Sequence, residues 1–143
     1  MKKRIFALAL ALALSLSLGT GAMAAEDSTG NFVRTRTYDG QFSDLTADSV
    51  FYDNVTALYE YGLSIGKADG TFGVRDALTV GQVVIFAGRI RSLYRTGDAE
   101  AGPNAYGGDG DSSAAIRYLR YLQAEGVIGT ELDGQLSSSA TRA

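Results

Sequence analysis

FSDLTADSVFYDNVTALYEYGLSIGKADGTFGVRDALTVGQ, residues 42–82, decides the fold, because much of its pattern returns 64 residues later. Phe42 and Gly62 stand twenty residues apart, as do Tyr106 and Gly126. Gly62-Leu63 leads to Asp69-Gly70, and Gly126-Val127 leads to Asp133-Gly134. The first copy enters a helix start at Thr79, and the second reaches the matching Thr141-Arg142-Ala143. Self-similarity at a fixed period is the signature of repeat architectures, whose units bury their cores against one another. The spacing therefore predicts one complete unit, residues 42–95, and one truncated unit, residues 111–143, of a longer modular protein.

Within the first copy, Phe51, Val55, Leu58 and Tyr59 recur at i, i+4, i+7 and i+8, one stripe of a helix that Ser49 or Asp48 can cap. Gly62 stands where a helix C-terminus favours a residue at positive φ. Asp69-Gly70-Thr71-Phe72 is a turn signal that returns Phe72 toward the core. Thr79-Val80-Gly81-Gln82 matches a capping box, in which hydroxyl and amide side chains satisfy two free backbone N–H groups. The helix it opens is expected to turn Val83, Val84, Ala87, Ile90 and Tyr94 inward. A third helix is expected from about Ser112 to Glu125, with Ala115, Tyr118, Leu119 and Leu122 inward and Gly126 as its cap. The fold class is thus mainly α, built of helix–loop–helix repeats. Because the second unit is incomplete, Leu119, Leu122 and Val127 are expected to lack a partner helix, and the last ten or so residues to be poorly ordered.

The flanks set the compartment. Lys2, Lys3 and Arg4 precede an apolar run from Ile5 to Leu18, and Ala22-Met23-Ala24 supplies the small-x-small pattern of a cleavage site. Residues 1–24 therefore read as a cleaved secretory signal peptide. The run of about 14 residues is short of the roughly 20 needed to span a bilayer. Residues 25–41 are polar and aperiodic and read as a flexible lead-in. Residues 96–110, with five glycines and the chain's single proline, read as a linker.

Composition removes several function classes. The formal charge is −3, and losing the signal peptide takes away three more positive charges. An acidic secreted chain is unsuited to nucleic acid or to anionic lipid surfaces, so no nucleic-acid partner, and no membrane after signal cleavage, is expected. With no cysteine and no histidine there is no disulfide framework, no thiol or histidine-dependent nucleophile, and little to hold structural zinc. No cofactor and no metal are expected. Asp109-Gly110-Asp111-Ser112-Ser113 hints at a calcium loop, but Ala114 stands where glycine is required and Arg120 where a bidentate glutamate is. Glycoside hydrolysis needs a facing pair of carboxylates, and the spacing picks out none. The chain is read as a non-enzyme.

The order Phe-x-Asp-Leu, aromatic-led helix, Gly-Leu, Asp-Gly-Thr-Phe, then Leu-Thr-x-x-Gln opening a second helix resembles the S-layer homology (SLH) domain of bacterial cell-surface proteins. The resemblance covers a whole domain from Phe42 to about Tyr94 and part of a second from Tyr106 to Ala143. It implies a cell-wall location and non-covalent binding of secondary cell wall polysaccharide attached to peptidoglycan, with other SLH repeats as packing partners. It also implies a binding site around the start of the second helix, where the family carries Ile-Thr-Arg-Ala-Glu and the Arg helps to hold an anionic ligand such as a pyruvyl ketal. Carried over, the polysaccharide-binding candidates are Thr79, Gln82, Asp69 and Gly70 in the first unit and Thr141 and Arg142 in the second. Val80 stands where the first unit's Arg would be, so anion binding is expected to fall to Arg142 or to further repeats beyond it. Two other readings stay open: degenerate repeats with a structural role in a surface layer, and the anchor of a hydrolase lying downstream.

Overall fold

The computed structural model describes residues 27–107 and 113–141. Among these are four α-helices and no strand: α1 (Tyr52–Glu60), α2 (Val80–Thr96), α3 (Ala101–Asn104) and α4 (Ala114–Ala124), preceded by a 3-10 turn at Thr29–Asn31. No described helix is long and apolar enough to cross a membrane. The signal-peptide reading of residues 1–24 and most of the calcium-loop motif lie outside the described residues.

The first unit closes on an aromatic cluster. Phe42, Leu45 and Val55 are buried, and Tyr52, Tyr59, Phe72 and Val74 pack around them. Neither Ser49 nor Asp48 caps α1: the cap position is Phe51, without a side-chain cap, and Ser49 Oγ instead accepts from the Phe51 amide at 3.2 Å in the turn before the helix. Gly62, at φ 70°, ends it, and the Leu63 amide then returns to the Leu58 carbonyl at 2.9 Å. Phe51 sits before the first helical turn rather than within the stripe and is 51% exposed, along a groove beside Leu58, Val74 and Leu78.

The described part of the lead-in makes specific contacts with the first unit. Residues 27–41 form a strap across the first unit. The Ser28 amide and the Asn31 side chain both donate to the Tyr94 carbonyl near the end of α2, at 2.9 and 2.7 Å. The Thr35 and Arg36 amides donate to the Glu60 carbonyl at the end of α1. Arg34 and Arg36 lie over the rings of Tyr61 and Tyr59. Tyr38 is buried, its ring tilted or edge-on to Phe42, Tyr52 and Tyr59 at 5.5–5.9 Å. Helix C-terminal carbonyls without intrahelical partners must be satisfied, and the strap satisfies those of two helices at once.

Both hydrogen bonds of the capping box form at α2: the Gln82 amide donates to Thr79 Oγ1 at 3.2 Å, and the Thr79 amide to Gln82 Oε1 at 2.8 Å. The inward face of α2 differs from expectation. Gly81, Val84, Gly88, Ser92 and Leu93 are buried, whereas Val83 and Ile90 are 42% and 46% exposed. Two helices approach closely where small residues stand, so the contact stripe follows the glycines rather than the larger apolar side chains. That stripe receives α4, in the most extensive contact among the described helices. Tyr118, Leu119, Tyr121 and Leu122 of α4 are buried, with Val84 at the centre and Val80, Ile85 and Ala87 alongside. Leu119 and Leu122 therefore do have a partner helix, supplied by the first unit; Val127 stays 51% exposed.

The described part of the expected linker, residues 96–107, carries structure of its own. Thr96 belongs to α2, and Ala101–Asn104 forms α3 with Pro103 buried. Fully buried Ser92 fixes this turn by donating to the Asp98 carbonyl at 2.6 Å and accepting from the Gly102 amide at 3.0 Å. A second clasp joins the units. Glu125, at the end of α4, accepts from Arg91 at 2.9 Å and from Arg95, which also reaches Asp27 of the strap at 3.3 Å. These two guanidinium groups hold the Glu125 carboxyl below the usual range, Arg95 most of all.

Candidate functional site

The loop between α1 and α2 is shaped by two carboxylates. Asp69 Oδ1 accepts from the Thr71 hydroxyl and amide at 2.6 and 3.0 Å, which closes the turn over Gly70 at φ 78°. Asp44 reaches the same loop from 28 residues away. It accepts from the Phe72 amide at 2.7 Å with one oxygen, and from Gly73 and Val74 at 2.8 and 3.2 Å with the other. The Phe-x-Asp-Leu and Asp-Gly-Thr-Phe motifs are therefore two halves of one clamp. The Phe72 amide bond, aided by those of Gly73 and Val74, holds the Asp44 carboxyl below its ordinary value. A depressed native pKa makes this stabilisation complete above the unfolded pKa near 4 and lost as pH falls through the lower native value. We expect Asp44→Ala to lower stability at neutral pH by about 1–3 kcal/mol, the range for leaving amides without a charged acceptor. Urea unfolding should show that loss shrinking below pH 4; an equal loss at every pH would contradict the clamp.

Between this loop and one flank of α2 lies a groove of about 200 Å³. Lys67, Phe72, Asp76 and Leu78 line it from the loop, and Gln82 and Phe86 line it from the helix, one turn apart. Arg89, one further turn along, closes one end; burial opposes its charge while the Tyr118 hydroxyl at 3.1 Å and Glu100 at 3.0 Å support it, and it also donates to the Leu63 carbonyl at 3.0 Å. Burial in turn pushes the Tyr118 phenol up to about 12. Lys67 is paired with Asp76 at 2.7 Å.

The sequence candidates distribute unevenly around this groove. Gln82 lines it. Asp69 lines a neighbouring hollow with Asp44 and Arg75, and Gly70 shapes the turn. Thr79 faces a different hollow, shared with Ala115 and Leu136 of the second unit. Thr141 is exposed at the end of the described chain, and Arg142 lies outside the described residues. Lys67, Phe86 and Arg89 carry no motif. The only signal for the last two was their i+4 and i+7 spacing from Gln82.

The start of α2 is closed to a ligand. A helix N-terminus attracts anions because its first amides lack partners. Here the Val80 and Gly81 amides donate to the Ser138 and Leu136 carbonyls, both at 2.8 Å, and the Gln82 and Val83 amides donate to Thr79. The Ala140 amide donates back to the Leu78 carbonyl at 2.8 Å, and Thr79 and Ser139 form an isolated antiparallel bridge. The segment 136–140, expected to be poorly ordered, is instead pinned by the helix end it caps. Among the described residues no cluster of three or more acidic side chains is placed to hold a metal ion.

Residues 41–83 match the family model of the S-layer homology domain, a span running from the residue before Phe42 through α1 and the clamped loop into the first turn of α2. No curated protein and no solved structure matches the chain.

Proposed function

We propose, from the match of residues 41–83 to the S-layer homology domain model, that this chain is a cell-surface anchoring module that holds secondary cell wall polysaccharide, attached to peptidoglycan, without a covalent bond and without catalysis. The observation that carries the reading is the groove lined largely by the matched span, which brings the aromatic Phe72 and Phe86 together with the polar Gln82, Lys67 and Asp76. Pockets that fix small polar ligands combine an apolar lining with a few placed polar groups. Binding without chemistry agrees with a chain that has neither histidine nor cysteine. The signal peptide, residues 1–24, directs the protein out of the cell to the wall.

In this reading Gln82 contacts the glycan directly. Asp69, Gly70 and Thr79 support the site by shaping its loop and capping its helix, and Thr141 with Arg142 forms a second, anion-holding position at the next helix start. A structural role in a surface layer is the second reading. It is favoured by the way the 136–140 segment occupies the α2 start. Sedimentation of the protein with purified sacculi separates the two: anchoring predicts co-sedimentation that is lost when the wall polymer is stripped, whereas a purely structural role predicts none in either state.

A further inference from the structure

We infer that the groove of the first unit accepts an uncharged sugar residue and discriminates against an acidic one, an inference that rests on the polysaccharide-binding reading above and names its ligand class. A carboxylate bound out of water needs an unpaired cation or a set of free amides, and the groove offers neither. The first residue after the Thr79 cap is Val80, partly buried against the core formed by Val84 and α4. The first-turn amides of α2 are taken by Thr79, Leu136 and Ser138. Of the two cations that face the groove, Lys67 is paired with Asp76 at 2.7 Å, and Arg89 is divided among Glu100, the Tyr118 hydroxyl and the Leu63 carbonyl. A carboxylate entering here must break an ion pair or lie beside Asp76, and like charges at contact repel.

What remains suits hydroxyl and amide groups. Gln82 gives its Oε1 to the Thr79 amide, so its Nε2 hydrogens are left as neutral donors. Asp76 engages Lys67 through Oδ2, leaving Oδ1 as an acceptor. Ser64 Oγ accepts from the Gly66 amide at 3.2 Å and keeps its own hydrogen to donate. Phe72, Leu78 and Phe86 give the C–H face of a ring somewhere to lie. The volume of about 200 Å³ is below the roughly 300–1,000 Å³ of sites for larger ligands, which limits the occupant to a single ring of a longer chain.

The test uses the mature protein and its Arg142→Ala variant, so that affinity for acid cannot come from that residue. Each is titrated with a neutral N-acetylhexosamine trisaccharide and with the same trisaccharide bearing a pyruvyl ketal, and the Gln82 side-chain amide signal is followed by NMR. The neutral sugar is expected to shift that signal in both proteins with little dependence on salt. The acidic sugar should bind there about tenfold more weakly, a difference of roughly 1.4 kcal/mol. Asp76→Asn, at an exposed position, releases Lys67 and should recover most of that tenfold for the acidic sugar. Tighter or equal binding of the acidic sugar at Gln82 would overturn the inference, as would an Asp76→Asn variant with unchanged acid affinity. If neither sugar moves Gln82 while the protein still sediments with intact sacculi, the groove is not the site and anchoring stands. If sedimentation is absent as well, the anchoring reading fails and the inference with it.

Discussion

Gly88→Val is expected to destabilise the protein by about 2–3 kcal/mol, the upper part of the range for overpacking a well-filled core. Gly88 lies in the middle of α2, where a glycine costs the helix about 1 kcal/mol relative to alanine. Its place is explained by the neighbour. A Cβ added there would overlap the Tyr118 ring. That ring cannot retreat cheaply: Tyr118 is 1% exposed and its hydroxyl is held by Arg89. The α2–α4 contact is also the joint between the two units, so forcing the helices apart strips Leu119 and Leu122 of their cover. Urea unfolding should show a lower midpoint with an unchanged slope. A variant as stable as the parent would mean that the two helices do not pack as described.

The second large effect is expected at Tyr38. Truncation to alanine removes a buried ring from contact with Phe42, Tyr52 and Tyr59, together with a hydroxyl that accepts from the Phe42 amide at 3.3 Å. Losses of about 3–5 kcal/mol accompany such aromatic deletions. The expected cost is near the lower end, about 3 kcal/mol, because Tyr38 lies at the margin of the cluster, 9% exposed. The residue belongs to a segment whose composition suggests a loose tail, so the outcome is diagnostic. A strap predicts a large fall in the unfolding midpoint, and a tail predicts none.

Tyr38 also shows where sequence reasoning reaches its limit. Residues 27–41 have no helical or strand period because they are held by others' groups: the Tyr94 and Glu60 carbonyls and the rings of Tyr59 and Tyr61. Periodicity reports regular elements packing one face, and a strap has no such face. The regular parts were legible. Gly62 and Gly126 take the positive φ that their place after a helix requires, at 70° and 67°. Thr79 and Gln82 make the two hydrogen bonds their spacing allows. The buried face of α2 was not legible, because the pattern weighs Val83 and Ile90 as apolar when the close approach of α4 selects Gly81 and Gly88.

The site was legible in outline only. Asp-Gly-Thr-Phe and Leu-Thr-x-x-Gln mark the two walls, but the cations and aromatic residues between them carry no local pattern. The pairing of Lys67 with Asp76, nine residues on, and of Arg89 with Glu100, eleven on, exists only once the chain is folded. The role of Asp44 was hidden for the same reason, since its three amide partners lie 28–30 residues away. Nor does the repeat announce that the 136–140 segment of one unit caps the helix of the other. That contact packs the 136–140 segment and α4 against α2, and it leaves the groove along the flank of α2 open.

Co-sedimentation with purified sacculi, measured side by side for the mature protein and Phe86→Ala before and after the wall polymer is stripped, tests the central claim most directly. Phe86 borders the groove and is not part of either buried cluster, so its loss should spare the fold. The account predicts that the parent sediments with intact sacculi and is released by stripping, and that Phe86→Ala binds intact sacculi several-fold more weakly. Equal binding of both proteins, or binding that survives stripping, would contradict it.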